Sequence, residues 1–150
     1  MTSQVIKPEI HILNGPNLNV LKDRPPPYET EEMQAFMDSL EMEWHDRVLL
    51  YHYQSNHTGD LIDRIHWIHR RQAAQGVVIN PAGLTHTSIS LADALEMLRM
   101  PIVEVHLTNI YAREAYRHHS FFTSKVNVLI CGAGLQGYRW ALEWLWQQIQ

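Results

Sequence analysis

Cysteine occurs once in these 150 residues, at Cys131, which excludes an internal disulfide framework. Lysine is nearly as scarce, with Lys7, Lys22 and Lys125 the only three. No apolar run approaches the ~18–20 residues needed to span a bilayer, so no membrane partner is expected. Positive charge is not in excess either. The formal net charge is −4 and the pI is near 6.2, which leaves no electrostatic footprint for nucleic acid. The opening residues 1–8 lack the apolar core of a secretory signal, so a reducing, cytoplasmic setting is expected.

What the chain does have is a hydrophobic fraction of 45%, too high for disorder, on a length that suits one domain over residues 1–150. Apolar runs bounded by turn residues predict strands over 5–13, 47–53, 76–80, 101–106 and 126–131. Helices are predicted between them. The first starts at Thr30 and runs to about Trp44, with Met33, Phe36, Met37 and Leu40 on one face. The second is capped by Thr58 and carries Leu61, Ile62, Ile65 and Ile68. Thr87 or Ser88 caps the third, with Ile89, Ala92 and Leu95 at helical spacing. The last follows residues 132–137 and carries Tyr138, Leu142 and Leu145. Strands alternating with helices imply an α/β fold: a doubly wound, parallel five-stranded sheet in a three-layer αβα sandwich.

One early segment shows where chemistry would sit. The apolar run of Ile10, Ile12 and Leu13 stops at Asn14-Gly15-Pro16-Asn17. Gly15 allows positive φ and Pro16 fixes φ, so a sharp turn is expected. In a parallel sheet all strand ends of this kind share one edge, where ligands bind. That edge would collect Asn17, Arg24 and Tyr28 from the first strand's exit and Asn80, Gly83 and His86 from the third. His106, Thr108 and Asn109 come from the fourth, with Arg113 and Arg117 just beyond. Arginine suits carboxylates or developing negative charge, and His and Tyr transfer protons. The set fits a small, hydroxylated, carboxylate-bearing molecule.

Five segments lie in a telling order: LNGPNLNVL (13–21), QSNHTGDLIDRIH (54–66), VINPAGLTHTSISLADAL (78–95), PIVEVHLTNIYAREAYRHHS (101–120) and GAGLQGYRWAL (132–142). With the elements between them they cover nearly the whole chain, and together they resemble the type II 3-dehydroquinate dehydratases, or type II dehydroquinases. The resemblance implies a flavodoxin-like domain in a homo-oligomer, trimers assembled into a dodecamer. It implies removal of water from 3-dehydroquinate by anti elimination through an enolate, giving 3-dehydroshikimate in the shikimate or quinate pathway. No metal, cofactor or Schiff base is implied, in contrast to type I enzymes, which use a lysine.

By position, the resemblance makes Tyr28 the base and Arg24 the group that stabilises its charge and the transition state. His106 would be the acid that protonates the departing hydroxyl, oriented by Glu104. Asn17 would hold a water on the enolate. Asn80, His86 and Arg117 would bind substrate hydroxyls, with Gly83 beside them. The Leu107 and Thr108 amides would take the carboxylate. Asp93 would reach in from a neighbouring subunit. Elementary chemistry agrees on one point: a tyrosine ordinarily titrates near ~10 and needs adjacent positive charge to act as a base near neutrality.

The lid departs from the family pattern. Lys22 follows Leu21 where Gly is usual, Tyr28 arrives one residue early, and Glu29 stands where Gly is usual. Two alternatives therefore stay open: a relative that dehydrates a modified dehydroquinate such as an amino analogue, and a non-catalytic relative that binds a shikimate-type ligand. Other features read as structural. His118 and His119 are adjacent and so rarely point together, and His66 and His69 have no acidic or Cys partner at ligand spacing. The run from Gly132 to Gly137 mimics a dinucleotide fingerprint but has no βαβ unit after it, so tight helix–strand packing is expected. Cys131 reads as inert core. Trp140, Trp144 and Trp146 read as part core and part subunit contact. Arg113 is expected in a structural or interface salt bridge rather than in contact with substrate.

Overall fold

Alternating side chains along five short strands sort the apolar residues to two faces, and each face needs a cover. The computed structural model describes residues 4–28 and 32–150. Its strands are β1 (Glu9–Asn14), β2 (Leu49–Gln54), β3 (Ala74–Asn80), β4 (Ile102–His106) and β5 (Val128–Cys131). All pair in parallel, in the order β2-β1-β3-β4-β5, the flavodoxin-like order. Helices α1 (Met33–Trp44) and α4 (Gln136–Ile149) cover one face. There Phe36, Leu40, Tyr138 and Leu145 pack on Ile10, Ile12, Val78 and Val103. Helices α2 (Thr58–Arg71) and α3 (Ile89–Leu95) cover the other, where Ile65, Ile68 and Leu91 meet Leu13, Val77 and Ile79.

Several boundaries differ from the sequence expectation. The first strand begins at Glu9 rather than at residue 5, because Pro8 has no N–H to donate to a ladder. Val5 and Ile6 are 87% and 90% exposed. The expected helix start at Thr30 lies outside the described residues; the first helical residue is Met33. Thr58 is the first residue of α2 rather than its cap. Ser55 organises that turn instead, accepting from the His57 N–H at 2.9 Å and donating to Asp60 Oδ2 at 2.9 Å. Ser88 does cap α3, through Leu91 N–H at 3.1 Å. Ile89 is 58% exposed, and α3 buries Leu91, Ala92 and Leu95 in its place. Cys131 is only half-buried, because β5 is an edge strand; burial still pushes its thiol up.

Two glycines matter for space rather than for turning. Gly15 is not at positive φ; Asn17 is, at 69°. A Cβ on Gly15 would lie 2.6 Å from the Pro81 carbonyl oxygen, so only glycine lets the exits of β1 and β3 touch. A Cβ on Gly137 would lie 3.3 Å from Val105 and 3.4 Å from Ile130, consistent with tight seating of α4 on the sheet. Of the tryptophans on α4, Trp144 and Trp146 pack against the core, while Trp140 is exposed.

On β2, His52 accepts from Asn14 Nδ2 at 2.9 Å. Burial pushes its pKa down to about 4, against the opposing pull of the Asp38 carboxylate. A folded-state value below the ordinary 6.5 means that the unfolded chain binds the proton more readily. The resulting stability is present above pH 6.5 and is lost as pH falls towards 4. Denaturant titrations should show about 3 kcal/mol of this loss in the wild type and its removal in His52→Gln.

Candidate active site

Strand order reverses between β1 and β3, and the carboxyl ends of those strands flank a crevice. Asn14 and Asn80 are register partners there, and the Gly15 N–H donates to the Asn80 carbonyl at 2.8 Å. Above this seam opens a cleft of about 210 Å³. Asn17, Arg24 and Tyr28 line it from the first exit, Asn80, Gly83 and His86 from the third. His106, Leu107, Thr108, Arg113 and Arg117 complete it. Glu104 sits behind His106, fully buried. Asp93 does not join them; it is exposed on α3. No lysine lines the cleft among the described residues.

The lid is held by Leu18 and Leu21, buried side chains of a short 3-10 turn at Leu18–Asp23. Despite arriving one residue early, Tyr28 reaches the cleft. The Arg24 guanidinium lies 3.6 Å from its ring centroid, a cation–π contact. Arg113 donates to the Tyr28 hydroxyl and, at 3.2 Å, to Thr108 Oγ1. The salt bridge expected of Arg113 is a 3.8 Å contact with Glu114, but its main partner is the tyrosine. Glu29, the other lid departure, lies outside the described residues.

Opposite the lid, His106 Nε2 is 2.6 Å from Glu104 Oε2. A carboxylate can only accept, so Nε2 carries a proton and Nδ1 is the nitrogen left for other work. The direction of the surrounding bonds fixes Glu104 as the acceptor. Ser120 Oγ accepts from the Phe122 and Thr123 N–H groups, at 2.9 and 3.1 Å. Its own proton therefore goes to Thr85 Oγ1, 2.6 Å away, and the Thr85 proton goes to Glu104 Oε2 at 2.8 Å. Thr123 Oγ1 donates to Glu104 Oε1 at 2.9 Å. Burial pushes the Glu104 carboxyl up. The hydrogen bonds from His106, Thr85 and Thr123, with the nearby charge of His106, outweigh that and hold it below the usual carboxylate range.

His86 donates through Nδ1 to the His119 carbonyl at 2.7 Å, and its ring lies 6.4 Å from that of His106. Burial lowers its pKa, the contact with His119 opposes this, and the charges of His106 and Arg117 lower it further. Arg117 is held by Glu114 at 2.7 Å. His118 bonds to the Arg113 carbonyl, and among the described residues no three His, Cys, Asp or Glu side chains gather as a metal site. Sequence reasoning had missed Thr85, Ser120 and Thr123. Their one signal was position, because Thr85 precedes His86 and Ser120 follows His119 in the exit loops.

The sequence matches the family model described as dehydroquinase class II over residues 8–146. A catabolic 3-dehydroquinase from Pyricularia oryzae is 43% identical, covering 96% of this chain and 93% of its own. A 3-dehydroquinate dehydratase from Bartonella tribocorum is 46% identical, covering 93% and 94%. The crystal structure of type II dehydroquinase from Propionibacterium acnes superposes with a TM-score of 0.88 at 37% identity, covering 95% of this chain and 98% of that one.

Proposed function

This chain belongs to the class II dehydroquinase family, and from that membership we propose that its cleft dehydrates 3-dehydroquinate by anti elimination through an enolate. The chain is a hydro-lyase; the order and agents of its proton transfers are our reading. The Tyr28 phenolate takes a proton from the carbon between the ketone and the carboxylate-bearing carbon. Electrons move onto the ketone oxygen, giving an enolate, with a water held by Asn17 against it. The enolate then collapses and expels the hydroxyl of the carboxylate-bearing carbon. His106, as imidazolium, protonates that hydroxyl from Nδ1, and it leaves as water. The phenol proton returns to His106 through solvent, which resets both groups. Product and one water balance the substrate.

The observation that carries this reading is the pairing of two opposed proton-transfer groups across one cleft. Tyr28 has the guanidinium groups of Arg24 and Arg113 against it. His106 has Glu104 behind it, which takes the Nε2 proton and leaves Nδ1 facing other partners. Arg117, His86 and Asn80 supply donors and acceptors for substrate hydroxyls, and the Leu107 and Thr108 backbone takes the carboxylate. We also assign Asp93, exposed on α3, to the cleft of a neighbouring copy in a trimer-based dodecamer. Among the described residues no helix is long and apolar enough to cross a membrane, and the cytoplasm is our proposed location.

The test is direct. Purified protein with 3-dehydroquinate should produce the conjugated enone of dehydroshikimate, followed by ultraviolet absorbance. Turnover should survive both a chelator and borohydride, which traps lysine Schiff bases. Loss of activity to borohydride would overturn the enolate route. Binding of dehydroquinate with no turnover would leave a ligand-binding protein.

A further inference from the structure

One buried polar run takes no part in those steps. It starts at the cleft and ends at a surface groove beside α1. The Ala82 N–H donates to Asn80 Oδ1 at 3.1 Å. Asn80 Nδ2 donates to the Tyr138 hydroxyl at 2.8 Å, and that hydroxyl donates to Asn14 Oδ1 at 2.6 Å. Asn14 Nδ2 then meets His52 Nε2 at 2.9 Å. Asn14, Asn80 and Tyr138 are buried.

Each direction in the run is forced. A backbone N–H can only donate, so Asn80 must turn its oxygen to Ala82 and its amide nitrogen to Tyr138. The Tyr138 hydroxyl has one proton, which must leave towards Asn14. Asn14 must then offer its nitrogen to His52, and His52 must answer with a bare Nε2. If His52 instead carried its proton on Nε2, Asn14 would have to flip. Tyr138 would then face two amide nitrogens with nowhere to place its proton. The two ends of the run therefore agree only when His52 is neutral and protonated on Nδ1.

We infer that His52 is a positioning residue for Asn80, acting through Asn14 and Tyr138 to reinforce the orientation that the Ala82 N–H sets for the Asn80 amide at the cleft. This rests on the reading of Asn80 as a substrate-binding group. The amide's second N–H is the one left for a substrate hydroxyl. An inverted amide would present oxygen there instead. Burial keeps His52 in the neutral form the run requires, although Asp38 and Glu41 of α1 share its groove. Arg139 of α4 and Glu43 of α1 are paired with each other.

Two measurements test this. Long-range proton–nitrogen spectra of labelled protein at pH 7, with His52 assigned by its absence in His52→Gln, should show Nε2 unprotonated and Nδ1 protonated. A protonated Nε2 overturns the inference. In kinetics with 3-dehydroquinate, His52→Leu should raise KM at least fivefold with kcat within twofold. His52→Gln keeps an acceptor and should restore KM to within twofold of wild type. An unchanged KM in folded His52→Leu also overturns the inference. Tyr138→Phe should raise KM similarly and give a mixed His52 tautomer. Should the wild type fail to turn over dehydroquinate, the catalytic reading fails. The His52 tautomer and the Asn80 side-chain amide resonances, expected to shift in His52→Leu, then decide the run alone.

Discussion

Tyr28→Phe should lower kcat for 3-dehydroquinate by about 10³-fold while KM changes little, the loss typical of removing a general base. The phenylalanine ring keeps the cation–π contact with Arg24, 3.6 Å from the centroid, so the lid should close as before. What disappears is the oxygen that meets Arg113 and that we propose takes the proton. Arg113 keeps Thr108 Oγ1 as a partner at 3.2 Å, so the substitution leaves no guanidinium stranded. Measuring kcat by enone absorbance, with circular dichroism to confirm the fold, separates the outcomes. More than a tenth of wild-type activity would mean that another group is the base. Such a result would make the lid's early tyrosine a change of role rather than of spacing.

His106→Ala should also cost about 10³-fold in kcat, because the hydroxyl would then have to leave unprotonated. This variant carries a second cost. It removes one of three donors from Glu104, a carboxylate with no exposure to water, and buried charge without its partners is strongly unfavourable. Midpoints of denaturant unfolding should therefore fall as well, by an amount set by how well Thr85 and Thr123 compensate. Glu104→Gln separates the two effects. It keeps the shape, with the amide oxygen accepting from His106 and Thr85 and the amide nitrogen donating to Thr123 Oγ1, but removes the negative charge behind the imidazole. Its kcat should fall while its fold holds. Full activity in Glu104→Gln would show that His106 needs no anion behind it.

Much of this arrangement was readable from residue order. Period-3.6 spacing put Met33, Phe36, Met37 and Leu40 on one buried face, and the polar residues ending each apolar run marked the cleft. The misses have physical causes. Ile89 sits at a helix-compatible spacing, but α3 is too short for periodicity to choose its inner side, and Leu91 took the place. Gly15 invited a conformational explanation, when the requirement was clearance from Pro81, which depends on a strand 65 residues away in sequence. Arg113 was read for charge alone, and its partner proved to be a phenol from a distant loop. The hydroxyls around Glu104 were invisible for a similar reason. Ser and Thr are common in loops, and only the meeting of residues 85, 104, 120 and 123 in space shows that they act as one unit.

The three guanidinium groups around the cleft have a consequence for how substrate arrives. The chain as a whole carries a formal charge of −4, which on its own would repel an anion. Arg24, Arg113 and Arg117 place positive charge at the cleft, although Glu114 pairs with Arg117 and approaches Arg113, and no acidic side chain lines the cleft among the described residues. A concave site with low-dielectric walls focuses such a field outward, so a carboxylate is drawn to the mouth of the cleft before any contact forms. Capture is then an ionic-strength-dependent rate, damped over a Debye length of ~8 Å at physiological salt. Phosphate and sulfate in a buffer should compete for the same arginines, so the apparent affinity for substrate should depend on the choice of buffer anion.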